Sequence, residues 1–111
     1  MREVHLLGSR GQILRALAPE TGRERMRGLI GRALLAEDEA LLLERTRSIH
    51  TFGMRWPICA ALLDGDFTVK SVRAVPPSRL LLPRLGVRHV LECAVGTDLL
   101  PGDRLRMIDT H

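Results

Sequence analysis

The chain has 111 residues, 45% hydrophobic and 27% charged, which suits one globular domain of about 100–150 residues and leaves no room for a second. Mean hydropathy is near zero at +0.02, and no apolar run approaches the roughly 20 residues that a bilayer-spanning helix needs. The opening MREVHLLGSRGQ also lacks the apolar core of a secretory signal, so a cytoplasmic protein with no membrane partner is expected. The formal net charge is +4, and seven basic against three acidic side chains within residues 1–32 account for it, the remainder balancing ten against ten.

The first predicted elements are two short strands, Val4 to Leu7 and Gln12 to Leu17, around a turn at Gly8-Ser9-Arg10-Gly11. Pro19 ends the second. Thr21 followed three residues later by Glu24 reads as a capping box, and Met26, Leu29 and Ile30 share one face of the helix it would start. Gly28 and Gly31 cost that helix about 1 kcal/mol each, so it should be short and stop near Gly31.

From Ala40 the pattern changes to short apolar or alternating segments: ALLL, SIHTF, ICAALL, FTVKSV, HVLECAV and RLRMI read as strands. Asp64-Gly65-Asp66 is a hairpin signal between two of them. Pro76-Pro77 and Pro83 punctuate a loop holding Leu80, Leu81 and Leu82, and Pro101-Gly102-Asp103 marks a late turn. The expected fold is mainly β within the α+β class, a small antiparallel barrel or sandwich-like domain with one or two short helices, built as a single domain over residues 1–111.

Cys59 and Cys93 lie far apart in sequence inside apolar runs, the setting of small buried hydrophobes, and a structural disulfide is not expected in a cytosolic chain. Close Cys or His pairs with metal-ligand spacing are absent. His89 and Cys93 would sit about 13 Å apart along a strand. No metal and no cofactor are expected.

Ser48, His50, Thr51, Met54, Arg55 and Trp56 form the densest mixture of titratable, hydroxyl and aromatic groups in the chain. In a functional reading His50 is a general base, Arg55 clamps a carboxylate or phosphate, Trp56 supplies a flat apolar wall, and Met54 is a further ligand-binding candidate. In a structural reading Phe52, Met54 and Trp56 alternate toward the core and Gly53 marks a bulge. Glu92 is the sole charge inside VLECAV, and a buried carboxylate needs a partner.

The segment from Thr21 to Ile108 resembles the domain of unknown function 192 family, also called the uncharacterised ACR family. The matching pieces are RMRGLIGR (Arg25 to Arg32), LLAEDEALLL, SIHTFGMRWPI (Ser48 to Ile58), LDGDFTV (Leu63 to Val69), VLECAVG (Val90 to Gly96) and PGDRL (Pro101 to Leu105). The resemblance implies a compact β-rich fold with a short helix near GLIGR, and no established activity. Family members typically carry an Asp where this chain has Cys59, so any acid or ligand role of that carboxylate would be lost here; a thiol acts as a nucleophile only if its pKa is lowered. The cations whose motifs accompany Glu92 in the resemblance are Arg27, Arg32 and Arg55, and a structural ion pair between Glu92 and Arg27 or Arg32 is expected.

The reading adopted from the sequence is a non-catalytic accessory module binding a small molecule or a protein. The alternatives are a small hydrolase-like enzyme using a His50 and Arg55 pocket, and a weak nucleic-acid binder using the basic N-terminal third. Single-strand binding through arginine also draws on aromatic platforms, and this chain has only Phe52, Phe67 and Trp56.

Overall fold

The computed structural model describes residues 2–21 and 36–108 of the chain. Nine strands follow in order: β1 (Arg2–Gly8), β2 (Ile13–Ala18), β3 (Glu39–Leu43), β4 (Ile49–His50), β5 (Ile58–Leu63), β6 (Val69–Val75), β7 (Leu80–Leu81), β8 (His89–Cys93) and β9 (Leu105–Ile108). Seven of them build one sheet in the order β6-β5-β8-β3-β2-β1-β9, and β4 pairs with β7 in a second. All pairings are antiparallel except β2 with β3, which run parallel and therefore need a crossover, here the segment 19–38. The helix expected from the Thr21 and Glu24 box falls on residues 22–35 and lies outside the described residues, among which there is no helix.

The large sheet curls until its two edge strands meet at one end. Thr68 bridges to Arg104, the Val69 N–H donates to the Asp103 carbonyl at 2.7 Å, the Gly102 N–H to Val69 at 2.8 Å, and the Leu105 N–H to Phe67 at 2.9 Å. A half-barrel results, joined where β6 begins and β9 begins. Its concave side holds one core layer, with Leu6, Leu14, Leu42, Leu63, Leu91 and Leu105 among its members. A second layer lies on the opposite face, where Leu41, Leu43, Ile58, Leu62 and Val90 meet Ile49, Leu81 and Val87.

This two-sided burial explains the sequence pattern at the centre of the sheet. Every residue of β5, Ile58 to Leu63, is buried, so ICAALL is apolar without alternation, as strands covered on both faces are. At the edge, β6 breaks its alternation because the pairing shifts from Leu62↔Ser71 to Leu63↔Val69, leaving Lys70 as the extra residue of a bulge. Beyond it Val72 packs into the concave core.

Both predicted hairpin turns form. Gly11 takes a left-handed φ of 89° between β1 and β2. In the β5–β6 turn the Asp64 carboxylate accepts the N–H groups of Asp66 and Thr68, each at 2.9 Å, and the left-handed residue is Phe67 at φ 60°. Leu80 and Leu81, read as loop in the sequence, form β7 because they pair with His50 and Ile49. SIHTF, read as one strand, contributes only Ile49 and His50 before the chain turns at Phe52-Gly53. No helix among the described residues is long and apolar enough to cross a membrane.

Candidate functional site

The residues singled out around the HTFGMRWPI motif sit in a layer that covers the outer face of the sheet. This covering layer runs through 46–57 and 76–87, anchored below by Ile49, Leu81, Val87 and Met54 against the second core layer. Thr51 joins its two halves. The fully buried hydroxyl donates to the Pro76 carbonyl at 2.7 Å and accepts the Arg79 N–H at 2.8 Å, while the Thr51 N–H donates to Arg79 at 2.8 Å and its carbonyl accepts the Ser78 N–H at 3.0 Å. Gly53, at φ 84°, turns the chain back over this staple, a conformation a side chain disfavours.

With the layer anchored this way, its other side chains point to solvent. His50 is exposed on β4 opposite Leu80, and its ring stacks on Phe52 with centroids 5.3 Å apart and planes 21° from parallel. Arg55 is exposed, and Phe52 and Trp56 are 51% and 47% exposed. The expected alternation of Phe52, Met54 and Trp56 into the core therefore holds for Met54 alone, because the turn at Gly53 interrupts the strand that the alternation assumes. Leu80, Leu82 and Leu85 add exposed apolar surface, Leu85 at 97%.

The charge on this layer is one-sided. Arg47, Arg55, Arg79 and Arg84 lie in 46–57 and 76–87, and neither stretch contains an Asp or Glu. All four are exposed, and the ion pairs found among the described residues involve other arginines. Arg2 meets Glu44 at 2.6 Å, Arg10 meets Asp103 and Asp98 at 2.7 and 2.8 Å, and Arg15 lies 3.7 Å from Asp38 and 3.9 Å from Glu39. The described arginines of the N-terminal third are thus turned toward carboxylates, and Arg23, Arg25, Arg27 and Arg32 lie outside the described residues. Counting charge along the chain hid the basic layer, because Glu37, Asp38, Glu39, Asp98 and Asp103 offset it in the sum.

Glu92 is buried, as the sequence indicates, on the side of β8 that faces the second core layer, with Leu41 and Ala60 as its cross-strand neighbours. Its Oε1 has no hydrogen bond among the described residues, and burial pushes the carboxyl up to about 7. The expected partners Arg27 and Arg32 lie outside the described residues. A strong buried-carboxylate pair is found elsewhere, at a site the sequence reading missed. Asp103, nearly buried, is gripped in bidentate fashion by Arg10 at 2.8 and 2.7 Å, by the Gln12 amide at 2.9 Å and by the Leu100 N–H at 2.9 Å. These donors, Arg10 first, hold its carboxyl down at about 2. The only cue in the sequence was a pair of turns, each carrying one charge of the pair.

Two further groups are altered by their surroundings. His89 packs against Phe67, ring centroids 4.6 Å apart, and its Nδ1 accepts the Arg45 N–H at 3.0 Å; burial lowers its pKa and favours the neutral ring. Cys59 and Cys93, separated in sequence, are directly opposed on β5 and β8 and both buried as free thiols.

A cavity of about 650 Å³ opens at another edge, lined by the β1–β2 turn, Asp66, Phe67 and Arg104 to Met107. It contains none of His50, Arg55, Trp56 or Glu92.

A curled, mainly β half-barrel carrying a covered outer face and an exposed motif loop is the class of domain that these features define. The family model for the domain of unknown function 192, uncharacterised ACR, matches residues 6–107, and the chain belongs to that family. The match begins within β1, so the N-terminal hairpin is part of the family domain. Among solved structures, the chain is similar to a candidate transcription regulator from Sinorhizobium meliloti 1021, with 26% identity, a TM-score of 0.76 and coverage of 95% of this chain and 92% of that one. It is also similar to a protein of unknown function from Novosphingobium aromaticivorans DSM 12444, with 24% identity, a TM-score of 0.78 and coverage of 94% and 83%. No protein of curated function matches the chain.

Proposed function

We propose that the protein is a non-catalytic binding module whose covering layer takes an acidic protein segment with interspersed apolar side chains. The observation that carries this reading is the coincidence, on one layer, of exposed Phe52, Trp56, Leu80 and Leu82 with four arginines and no carboxylate. Aromatic residues and Arg are enriched and acidic residues depleted where proteins meet. The Thr51 staple pre-organises the surface, which lowers the ordering cost of binding. A second copy of the chain is a poor occupant, since a two-fold contact through this layer would set arginine against arginine. The likeness to a candidate regulator is in keeping with a role exercised through binding.

An enzyme reading asks for a concave site with His50 beside a second titratable group, and His50 instead stacks on Phe52 at the surface. A nucleic-acid reading asks for flat platforms for the bases, whereas leucines, which have no flat face, supply much of the apolar area here.

Trp56 is the single tryptophan and lies in the layer itself, so its fluorescence reports on this surface alone. Titration with a synthetic peptide alternating Asp or Glu with Leu and Phe should shift its emission and saturate. The double variant Arg55→Glu, Arg79→Glu should weaken that binding at least about tenfold, equivalent to 1.4 kcal/mol. A response to oligothymidylate or to anionic vesicles with none to the peptide would replace the proposal by a nucleic-acid or a lipid-surface reading.

A further inference from the structure

Cys59 and Cys93 are 34 residues apart in sequence and face each other across the β5–β8 ladder. Both side chains enter the concave core layer, so they project from the same side of the sheet. Directly opposed residues of antiparallel strands have Cα atoms about 4.5–5.5 Å apart, inside the roughly 4.4–6.8 Å that a disulfide spans. The Cys93 thiol donates to the Cys59 carbonyl at 3.5 Å, which holds the Cys93 sulfur against Cys59. We propose that Cys59 and Cys93 form a redox-modification site, a cross-strand dithiol that a peroxide closes to a disulfide inside the folded sheet.

The two sulfurs have different roles. Cys59 is 5% exposed and Cys93 0%, so Cys59 is the one an oxidant meets first. The neighbouring Cys93 thiol lowers the Cys59 pKa, which favours the reactive thiolate; the Cys59 neighbour, and then burial, raise Cys93 and keep it protonated. With hydrogen peroxide, the Cys59 sulfur attacks one oxygen and the O–O bond breaks. The other oxygen leaves as water after taking up a proton, and Cys59 becomes the sulfenic acid. The Cys93 sulfur then attacks the Cys59 sulfur, the S–O bond breaks, and the hydroxyl departs as water with the Cys93 proton. Two thiols lose two electrons and two protons; peroxide becomes two waters. The link closes one residue beyond Ile58, at the foot of the loop that carries Arg55 and Trp56.

The test uses the full chain, folded, treated with hydrogen peroxide, quenched, then unfolded and alkylated with N-ethylmaleimide before mass spectrometry. The expected product is a monomer lighter by two hydrogens that takes up no maleimide, keeps its strand circular dichroism and melts at a higher temperature than the reduced protein. Dithiothreitol should restore two alkylatable thiols. Cys59→Ser and Cys93→Ser should each give no such monomer, with Cys93→Ser stopping at the Cys59 sulfenic acid, trapped by dimedone. Disulfide-linked dimers as the sole product, stepwise addition of oxygen to either sulfur in the parent, or closure only after denaturation would overturn the proposal.

Discussion

Asp103 is the side chain on which the corner between the first hairpin and the last strand depends. Its oxygens receive Arg10, Gln12 and the Leu100 N–H, so Asp103→Asn removes a charged acceptor that several donors share. Hydrogen bonds to a charged group are worth about 1.5–3 kcal/mol, and a loss in that range is expected as a lower urea midpoint at pH 7. The carboxyl titrates at about 2 in the folded protein against a usual 3.8. Stability from this group is therefore complete above about pH 4 and is lost as pH falls toward 2. Urea titrations at pH 7 and pH 3 should show parent and Asp103→Asn converging at the acid end. Glu92 runs the other way. Its folded carboxyl titrates at about 7 against a usual 4.5, so the folded state holds the proton longer, and stability falls as pH rises from 4.5 through 7. Glu92→Gln should flatten that slope in thermal melts compared at pH 5 and pH 8. A flat slope in the parent would place a cation against Glu92, the role that the resemblance gives to Arg27 or Arg32. That Glu92 is buried was legible from a lone charge in an apolar strand, whereas the Asp103 pair was not, since nothing local marks two turns about ninety residues apart as neighbours.

Among the elements, the covering layer is held by side-chain bonds rather than by long strands, since β4 and β7 have two residues each. Thr51→Val keeps the shape and removes the hydroxyl. It strands the Arg79 N–H and the Pro76 carbonyl, groups that Thr51 now satisfies at 2.8 and 2.7 Å, at a cost of about 1–3 kcal/mol for each buried group left unpaired. Hydrogen exchange should rise at Arg79 and Ser78 while β5 and β8 stay protected; equal loss of protection in the central strands would show that the layer is not a separable unit. Strand type and hairpin position were readable here from apolar runs and from Asp64-Gly65-Asp66. The identity of the left-handed residue was not. Glycine is the default for that conformation, yet Phe67 adopts it, and its ring packs against His89.

At the scale of the whole molecule, charge is sorted by the fold. Arg10 and Arg2 meet carboxylates distant in sequence, and the arginines of the covering layer meet none among the described residues. Binding to that layer should accordingly weaken as salt rises, because exposed charges are screened over about 10 Å at 0.1 M ionic strength. A Trp56 titration repeated across salt concentrations should show it, and salt-independent affinity would assign the binding to apolar contact alone. Legible along the chain were the family, the mainly β class, the two hairpin turns and the burial of Cys59, Cys93 and Glu92. These depend on periodicity, turn chemistry and motif order, which act over a few residues or survive as spacing along the chain. Only the tertiary structure decided which strands pair, that Cys59 faces Cys93, that Arg10 holds Asp103, and that Trp56 and Phe52 face outward with unopposed arginines. Those outcomes depend on which distant segments the curling sheet brings into contact, and no local preference encodes that.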